Sequence, residues 1–348
     1  MKIAFILPSL ANKGPVIVAK NISDYLISQN IYCEVFYFSD IVELKFKCKT
    51  TKIRLFDFKI IKNFDIIHTH GIRPDLYSFI NPNFKIKRIS TLHNYIRQDL
   101  ETSLAYSKFK SKIFEFIWNI FLLRMNKIVV LSNHAKNYYQ SRLFNKSIDF
   151  IYNGLSFNSN LESVLEEKLF DEIKKKGQEI IGTSAYLTYR KGLHQIIEVL
   201  PLFKNLSFVI IGDGPEKKNL ENLAKQMNVL DRCIFLGYKS NAVFYLNYFD
   251  YFTIPSYSEG FPLALIEASA YRKATLASNI PVHKEVFDNQ EVSFSSLDDN
   301  KSMIKAIKNL INNKNKYSNN IYTKYINNYT LEIMGKNYVD LFEKLYNQ

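Results

Sequence analysis

Cysteine is scarce in this 348-residue chain, and its three thiols, Cys33, Cys48 and Cys233, form no C-x-x-C pair. An odd number at wide spacing supports neither a disulfide framework nor a zinc site, and it implies a reducing compartment. No uninterrupted apolar stretch reaches the ~18 residues needed to cross a bilayer. The opening run "MKIAFILP" is too short for a secretory leader and is cut by Pro8, which suits a first β-strand. Repeats and low-complexity tracts are absent as well. The expectation is a cytoplasmic globular protein, with peripheral contact at the inner membrane face left open.

Acidic residues are short in one half only. The net charge is +13, and residues 1–150 hold 23 Lys and Arg against 11 Asp and Glu, whereas the remainder holds 23 against 22. A basic half of +12 beside a half of +1 marks the part that meets an anionic partner, unless it is simply a soluble lysine-rich surface.

At 47% hydrophobic residues the chain can bury a sizeable core, and its length suggests about two domains. Short β-rich runs alternate with helical patterns throughout. In the first half they are "KIAFILP", "YCEVFYF", "FDIIHTH", "KRISTLHN", "KIVVLSN" and "DFIYNG"; in the second, "EIIGTSAYL", "LSFVIIGDGP", "CIFLGY", "DYFTIPS" and "ATLAS". Strands separated by helices imply parallel sheets, whose ligands bind beyond the carboxyl ends of the strands. Polar residues 156–177 read as a linker leading into a helix. The chain ends in an amphipathic helix carrying Ile333, Met334, Tyr338, Leu341, Phe342 and Leu345.

The densest chemical signal is "SEGFPLALIEASA", residues 258–270. Pro262 reads as a first-turn residue of a helix whose leading amides, from about Phe261 through Leu263 to Ala264, are free to meet an anion or hydroxyls. Gly260 allows close approach to the backbone. Glu259 accepts hydrogen bonds from a hydroxyl-rich ligand or simply complements the helix dipole. Glu267 lies among small apolar residues and takes either a vicinal diol such as ribose or a structural salt bridge. Arg190 and Lys191, before Gly192 at a strand end, suit a diphosphate or are solvated surface. Gly212 and Gly214 open another strand-to-helix turn. The first half offers the Gly14 loop, His93 at a strand end, and His68 with His70 on one strand face; two histidines without a third ligand do not make a metal site.

Together these residues resemble the retaining, family-four glycosyltransferases of the GT-B fold, along nearly the whole chain. The most specific mark is the E-x7-E motif from Glu259 to Glu267, supported by Gly212-x-Gly214-Pro215, Arg190-Lys191-Gly192, Asn153-Gly154 and the Gly14 loop. The resemblance implies two Rossmann-like domains facing each other across a cleft, residues 1–155 with 330–348 for the acceptor and 178–329 for the donor. The C-terminal helix would cross back to the first domain.

It further implies that Glu259 and the amides after it hold the donor sugar and that Glu267 binds the ribose. Lys191 would contact the diphosphate with the Gly14 loop nearby, the backbone at Gly237 and Tyr238 would meet the base, and His93 would lie by the reacting carbon. No metal or other cofactor is implied. Ala185 and Tyr186 stand where the family commonly has an arginine, and Pro15 follows Gly14 in place of a second glycine.

The expected activity is hexosyl transfer with retention from a UDP-sugar, or a GDP-sugar, to a saccharide or polyprenyl-diphosphate-linked acceptor in capsule or O-antigen assembly. A UDP-sugar 2-epimerase of the same fold and a basic nucleic-acid-binding protein are the alternatives, the latter lacking any recognised module. The stretch 107–127, "SKFKSKIFEFIWNIFLLRMNK", is apolar nearly all round, which favours a core helix over one lying on an anionic membrane.

Overall fold

The computed structural model describes residues 1–102, 107–143, 146–157 and 166–348, apart from the side chains of Asp99 and Thr102. Part of the expected linker, residues 158–165, lies outside the described residues. The chain divides into two units, Met1–Ser156 with Tyr329–Gln348, and Phe157–Asn328.

The first unit is built on seven strands: β1 (Lys2–Leu7), β2 (Tyr32–Tyr37), β3 (Lys49–Lys52), β4 (Ile66–His70), β5 (Lys87–Leu92), β6 (Lys127–Val130) and β7 (Ile148–Phe150). All pairs are parallel, in the order β3-β2-β1-β4-β5-β6-β7. Central strands such as β1 and β4 are buried on both faces, which is why they read as continuous apolar runs. The strand order reverses between β1 and β4, so the loops leaving those two strands diverge and open a crevice at their carboxyl ends.

Helices α1 (Gly14–Ser28), α2 (Ile72–Ile80), α3 (Ile96–Thr102), α4 (Lys108–Leu122) and α5 (Asn133–Gln140) cover this sheet. Ile6, Phe36, Ile67 and Tyr77 form one core cluster, and Leu92, Leu122, Val130 and Tyr139 another.

The C-terminal helix, Leu331–Tyr346, belongs to this unit. It buries Met334, Tyr338, Leu341, Phe342 and Leu345, with Phe342 meeting Phe5 of β1 edge-on. Gly154 lets the chain pass so close to its start that a Cβ there would lie 2.2 Å from the Thr330 carbonyl oxygen.

Helix α4 is not the core helix its composition suggests. Among its described residues only Ser111 and Leu122 are buried, and Trp118 anchors it by donating to the Asp75 carboxylate at 2.6 Å. Phe109 and Phe116 are 73% and 66% exposed, and with the exposed Ile113 they form a stripe at i, i+4 and i+7 flanked by Lys108 and Lys112. The all-round apolar composition arises because one narrow edge packs while a second apolar face stays outside.

The second unit has a six-stranded parallel sheet: β8 (Glu179–Ser184), β9 (Leu206–Ile211), β10 (Cys233–Gly237), β11 (Tyr251–Ile254), β12 (Ala274–Ser278) and β13 (Val292–Ser295). Its order is β10-β9-β8-β11-β12-β13, reversing between β8 and β11. Helices α6 (Glu167–Lys175), α7 (His194–Val199), α8 (Lys217–Gln226), α9 (Leu263–Ala270), α10 (Pro281–Val286), α11 (Asn300–Asn312) and α12 (Lys314–Asn328) complete it. One core cluster includes Ile181, Ile197, Phe208, Leu276 and Ile307. The doubly wound α/β class read from the sequence is the architecture of both sheets. Among the described residues no helix is long and apolar enough to cross a membrane.

Gly154→Ala tests the docking of the C-terminal helix. Backbone cannot move aside as a side chain can, so the substitution is expected to cost about 1–3 kcal/mol and lower the melting temperature of the full chain by several degrees. An unchanged melting temperature would show that the close approach is not made.

Candidate functional site

In the second unit the two strands that flank the reversal of order deliver the charged groups. After β8 the chain turns through Tyr189–Lys191 and reaches Gly192, which sits in the left-handed region (φ 65°). A Cβ there would lie 2.2 Å from the Pro255 carbonyl oxygen at the end of β11. Only glycine allows these loops to pack so closely. The Tyr257 amide donates to the Arg190 carbonyl at 2.8 Å, and Gln195 Nε2 donates to the carbonyls of both Gly192 and Pro255.

This packing sets Lys191 Nζ 2.7 Å from Glu259 Oε1 and Arg190 Nη1 3.4 Å from Glu259 Oε2, with Arg190 also donating to the Ser258 carbonyl. Glu259 is only 8% exposed. Burial alone would raise its pKa, but the charges of Lys191 and then Arg190 outweigh it and hold the carboxyl down at about 2. A narrow crevice between the ends of β8 and β11 is lined by Ser184, Ala185, Lys191, Pro255, Ser256 and Ala264.

Helix α9 begins at Leu263, with Pro262 as its capping residue rather than its first turn. The Leu263 amide is not free, since it donates to the Phe261 carbonyl at 2.9 Å. Phe261 is buried and Gly260 partly exposed. Glu267 faces the opposite situation to Glu259. It is partly buried one helical turn further on, its carboxylate makes no ion pair or hydrogen bond among the described residues, and burial raises its pKa to about 7.

Gly214, after β9, packs on the loop that follows β8, where Glu216 N donates to the Leu187 carbonyl at 3.0 Å and Leu187 N to the Asp213 carbonyl at 2.9 Å. Tyr238, after β10, is exposed, and the Gly237 carbonyl beside it accepts from Gly212 N.

The first unit has a cavity of about 140 Å³ at its own reversal of order, lined by Pro8, Pro15, His70, Gly71, His93 and Asn94 among others. Gly14 is the first residue of α1, so the glycine loop and His93 line or border one space. His93 and His70 share a hydrogen bond of 2.8 Å between Nε2 and Nδ1. His68 bonds Thr91 Oγ1 at 2.7 Å. Burial drives the pKa of His68 and of His93 down to about 3 and lowers His70 as well, so all three rings are neutral at pH 7. Among the described residues no group of three or more His, Cys, Asp or Glu could hold a metal ion.

The model of glycosyl transferases group 1 matches residues 165–327, and that of glycosyltransferase family 4 matches residues 49–158. An Escherichia coli relative, the O-antigen biosynthesis glycosyltransferase WclY, is 32% identical over 100% of this chain and 99% of its own. The chain belongs to the family-four glycosyltransferases.

Another E. coli relative, a UDP-Gal:alpha-D-GlcNAc-diphosphoundecaprenol alpha-1,3-galactosyltransferase, is 24% identical over 79% of this chain and 74% of its own. Among solved structures, HepE of Anabaena in complex with UDP and glucose superposes with a TM-score of 0.79 at 15% identity, covering 99% of this chain and 100% of that one. That likeness is one of fold, the GT-B arrangement of two α/β sheets.

The structure of this glycosyltransferase also shows groups that the sequence reading missed. His283 of α10 is fully buried, donates from Nδ1 to the Ser278 carbonyl at 2.9 Å, leaves Nε2 without a partner among the described residues, and feels the charge of Glu259. Asp75 is buried between Thr69 and Trp118, and burial raises its pKa to about 6. Single histidines and carboxylates carry no spacing signal, so nothing in the sequence singled these out.

Glu267 yields a pH-dependent expectation. Its folded pKa is raised, so the stability it allows is fully present below the unfolded pKa of ~4.3 and is lost as pH rises through about 7. Glu267→Gln should therefore match the parent in thermal unfolding at pH 4 and exceed it by about 2–4 °C at pH 8. Equal curves at pH 8 would mean that Glu267 already has a partner.

Proposed function

We propose that this glycosyltransferase moves a hexosyl group, with retention and without a metal, from a nucleotide diphosphate sugar to a saccharide or polyprenyl-diphosphate-linked acceptor. UDP is the favoured nucleotide over GDP. The setting is assembly of O-antigen or a related surface polysaccharide such as capsule, in keeping with the E. coli relative that matches the chain end to end.

The observation that carries this reading is the Lys191–Glu259–Arg190 cluster at the reversal of strand order in the second unit. A diphosphate entering there takes over the two cations, and Glu259 is released to accept hydrogen bonds from sugar hydroxyls. Ribose hydroxyls supply Glu267 with the donors it lacks. As the sugar–oxygen bond breaks, Lys191 and Arg190 hold the negative charge that develops on the departing diphosphate, the task a divalent cation performs in other transferases. The acceptor hydroxyl attacks the anomeric carbon from the face the diphosphate leaves. The cavity with neutral His93 and His70 serves the acceptor. His93 sits near the reacting carbon in this reading, and the leaving group needs no imidazolium there.

The test is release of UDP or GDP from a panel of nucleotide sugars, with and without EDTA. One donor is expected to be turned over equally in both, and the Arg190→Ala, Lys191→Ala double variant to lose about 10²–10⁴-fold in kcat/KM. Undiminished turnover in the double variant, or loss in EDTA, would overturn the mechanism.

The exposed stripe of α4 adds a location. Phe109, Ile113 and Phe116, flanked by Lys108 and Lys112 in the half that carries +12, suit the surface of an anionic bilayer, where a lipid-linked acceptor would reside. Vesicles of anionic lipid should retain the protein at low salt and lose the Phe109→Ser, Phe116→Ser variant. Equal retention of both proteins would remove α4 from the membrane contact.

A further inference from the structure

The two cysteines of the first unit lie side by side, a fact their spacing in the sequence conceals. Strand β2 pairs with β3 in parallel, with Glu34 opposite Lys49, Val35 opposite Thr50 and Phe36 opposite Thr51. Extending that register back by one residue sets Cys33 opposite Cys48. Neighbouring strands are about 4.8 Å apart and register partners point to the same face, within the ~4.4–6.8 Å between Cα atoms that a disulfide spans.

Helix α1 fixes both thiols from above. Cys33 Sγ donates to the Ser23 carbonyl at 3.6 Å, and Cys48 is partly exposed beside it. The turn that carries Cys48 is pinned where Lys47 N donates to Asp24 Oδ1 at 3.0 Å, and the buried Asp24 carboxylate is also bonded to Lys20. The arrangement uses three elements to bring two sulfurs together.

We propose that Cys33 and Cys48 are an oxidation site, a thiol pair that hydroperoxides convert reversibly into a disulfide stapling edge strand β3 to β2. The proposal is independent of the transferase reading. In the pair, the neighbouring Cys33 thiol lowers the pKa of Cys48, while the neighbouring Cys48 sulfur and then burial raise that of Cys33. Cys48 is therefore the attacking sulfur, and it is also the more exposed of the two.

The step balances as follows. The Cys48 thiolate takes an oxygen from the hydroperoxide, giving a sulfenic acid and, from hydrogen peroxide, hydroxide that is protonated to water. Cys33 then attacks the Cys48 sulfur, the S–S bond forms, and a second water leaves. Two thiols and one peroxide become one disulfide and two waters, and a small dithiol reverses it. Cys233, buried in the other unit with its pKa raised by burial to about 12, provides an internal control.

The experiment treats the full chain with hydrogen peroxide, blocks free thiols under denaturing conditions and measures intact mass and peptide links. The expected product is lighter by two hydrogen atoms, carries one blocked thiol at Cys233 and a Cys33–Cys48 cross-link, and regains three blocked thiols after dithiothreitol. In Cys33→Ser the sulfenic acid on Cys48 should persist and be captured by dimedone, while in Cys48→Ser no oxidation should appear. Three blocked thiols after peroxide, a disulfide joining two chains through Cys48, or Cys48 driven to sulfinic acid in the parent with Cys33 still free would each overturn the proposal.

Discussion

The ion cluster of Glu259 with Lys191 and Arg190 is the constraint around which the second unit's chemistry is arranged. A carboxylate this buried is tolerated only because two cations stand against it, and they come from a different strand end. Everything that keeps the loops after β8 and β11 in contact serves that arrangement: the left-handed Gly192, the Gln195 side chain bridging Gly192 and Pro255, and the Tyr257 amide on the Arg190 carbonyl. Glu267 is the complementary case, a carboxylate without a partner among the described residues.

Each unit repeats one topological idea with different side chains. Where parallel strand order reverses, loops diverge and leave a crevice. In the second unit that crevice is charged. In the first it is lined by prolines and by His70 and His93, both neutral through burial, while Phe5, Tyr338 and Phe342 pack on the neighbouring His68. The C-terminal helix supplies two of those rings, so the end of the chain packs on His68, whose ring centroid lies 4.5 Å from that of His70.

The sequence revealed the interior best. Runs such as "KIAFILP" and "LSFVIIG" are legible because a strand buried on both faces must be apolar throughout. The two strands it concealed, β3 "KTTK" and β13 "VSFS", are both sheet edges, where no hydrophobic run is required: β3 is polar and mostly exposed, and in β13 the buried Ser293 is satisfied by donating to the Ala306 carbonyl. The same limit explains α4: composition registers apolar residues without saying whether they are covered. Glu259, Lys191 and Arg190 could be singled out by motif, but their mutual contact could not, since nearly seventy residues separate them. His283, Asp75 and the pairing of Cys33 with Cys48 depend wholly on strand register and helix packing.

If the cations are the diphosphate's partners and Glu259 merely occupies them in the free protein, then Glu259 competes with the nucleotide for Lys191 and Arg190. Calorimetric titration of UDP, carrying no sugar for Glu259 to hold, into the parent and into Glu259→Gln isolates that competition. The glutamine variant is expected to bind UDP roughly tenfold more tightly, a difference of ~1.4 kcal/mol. Equal or weaker binding by the variant, or no binding of UDP or GDP by either protein, would contradict it.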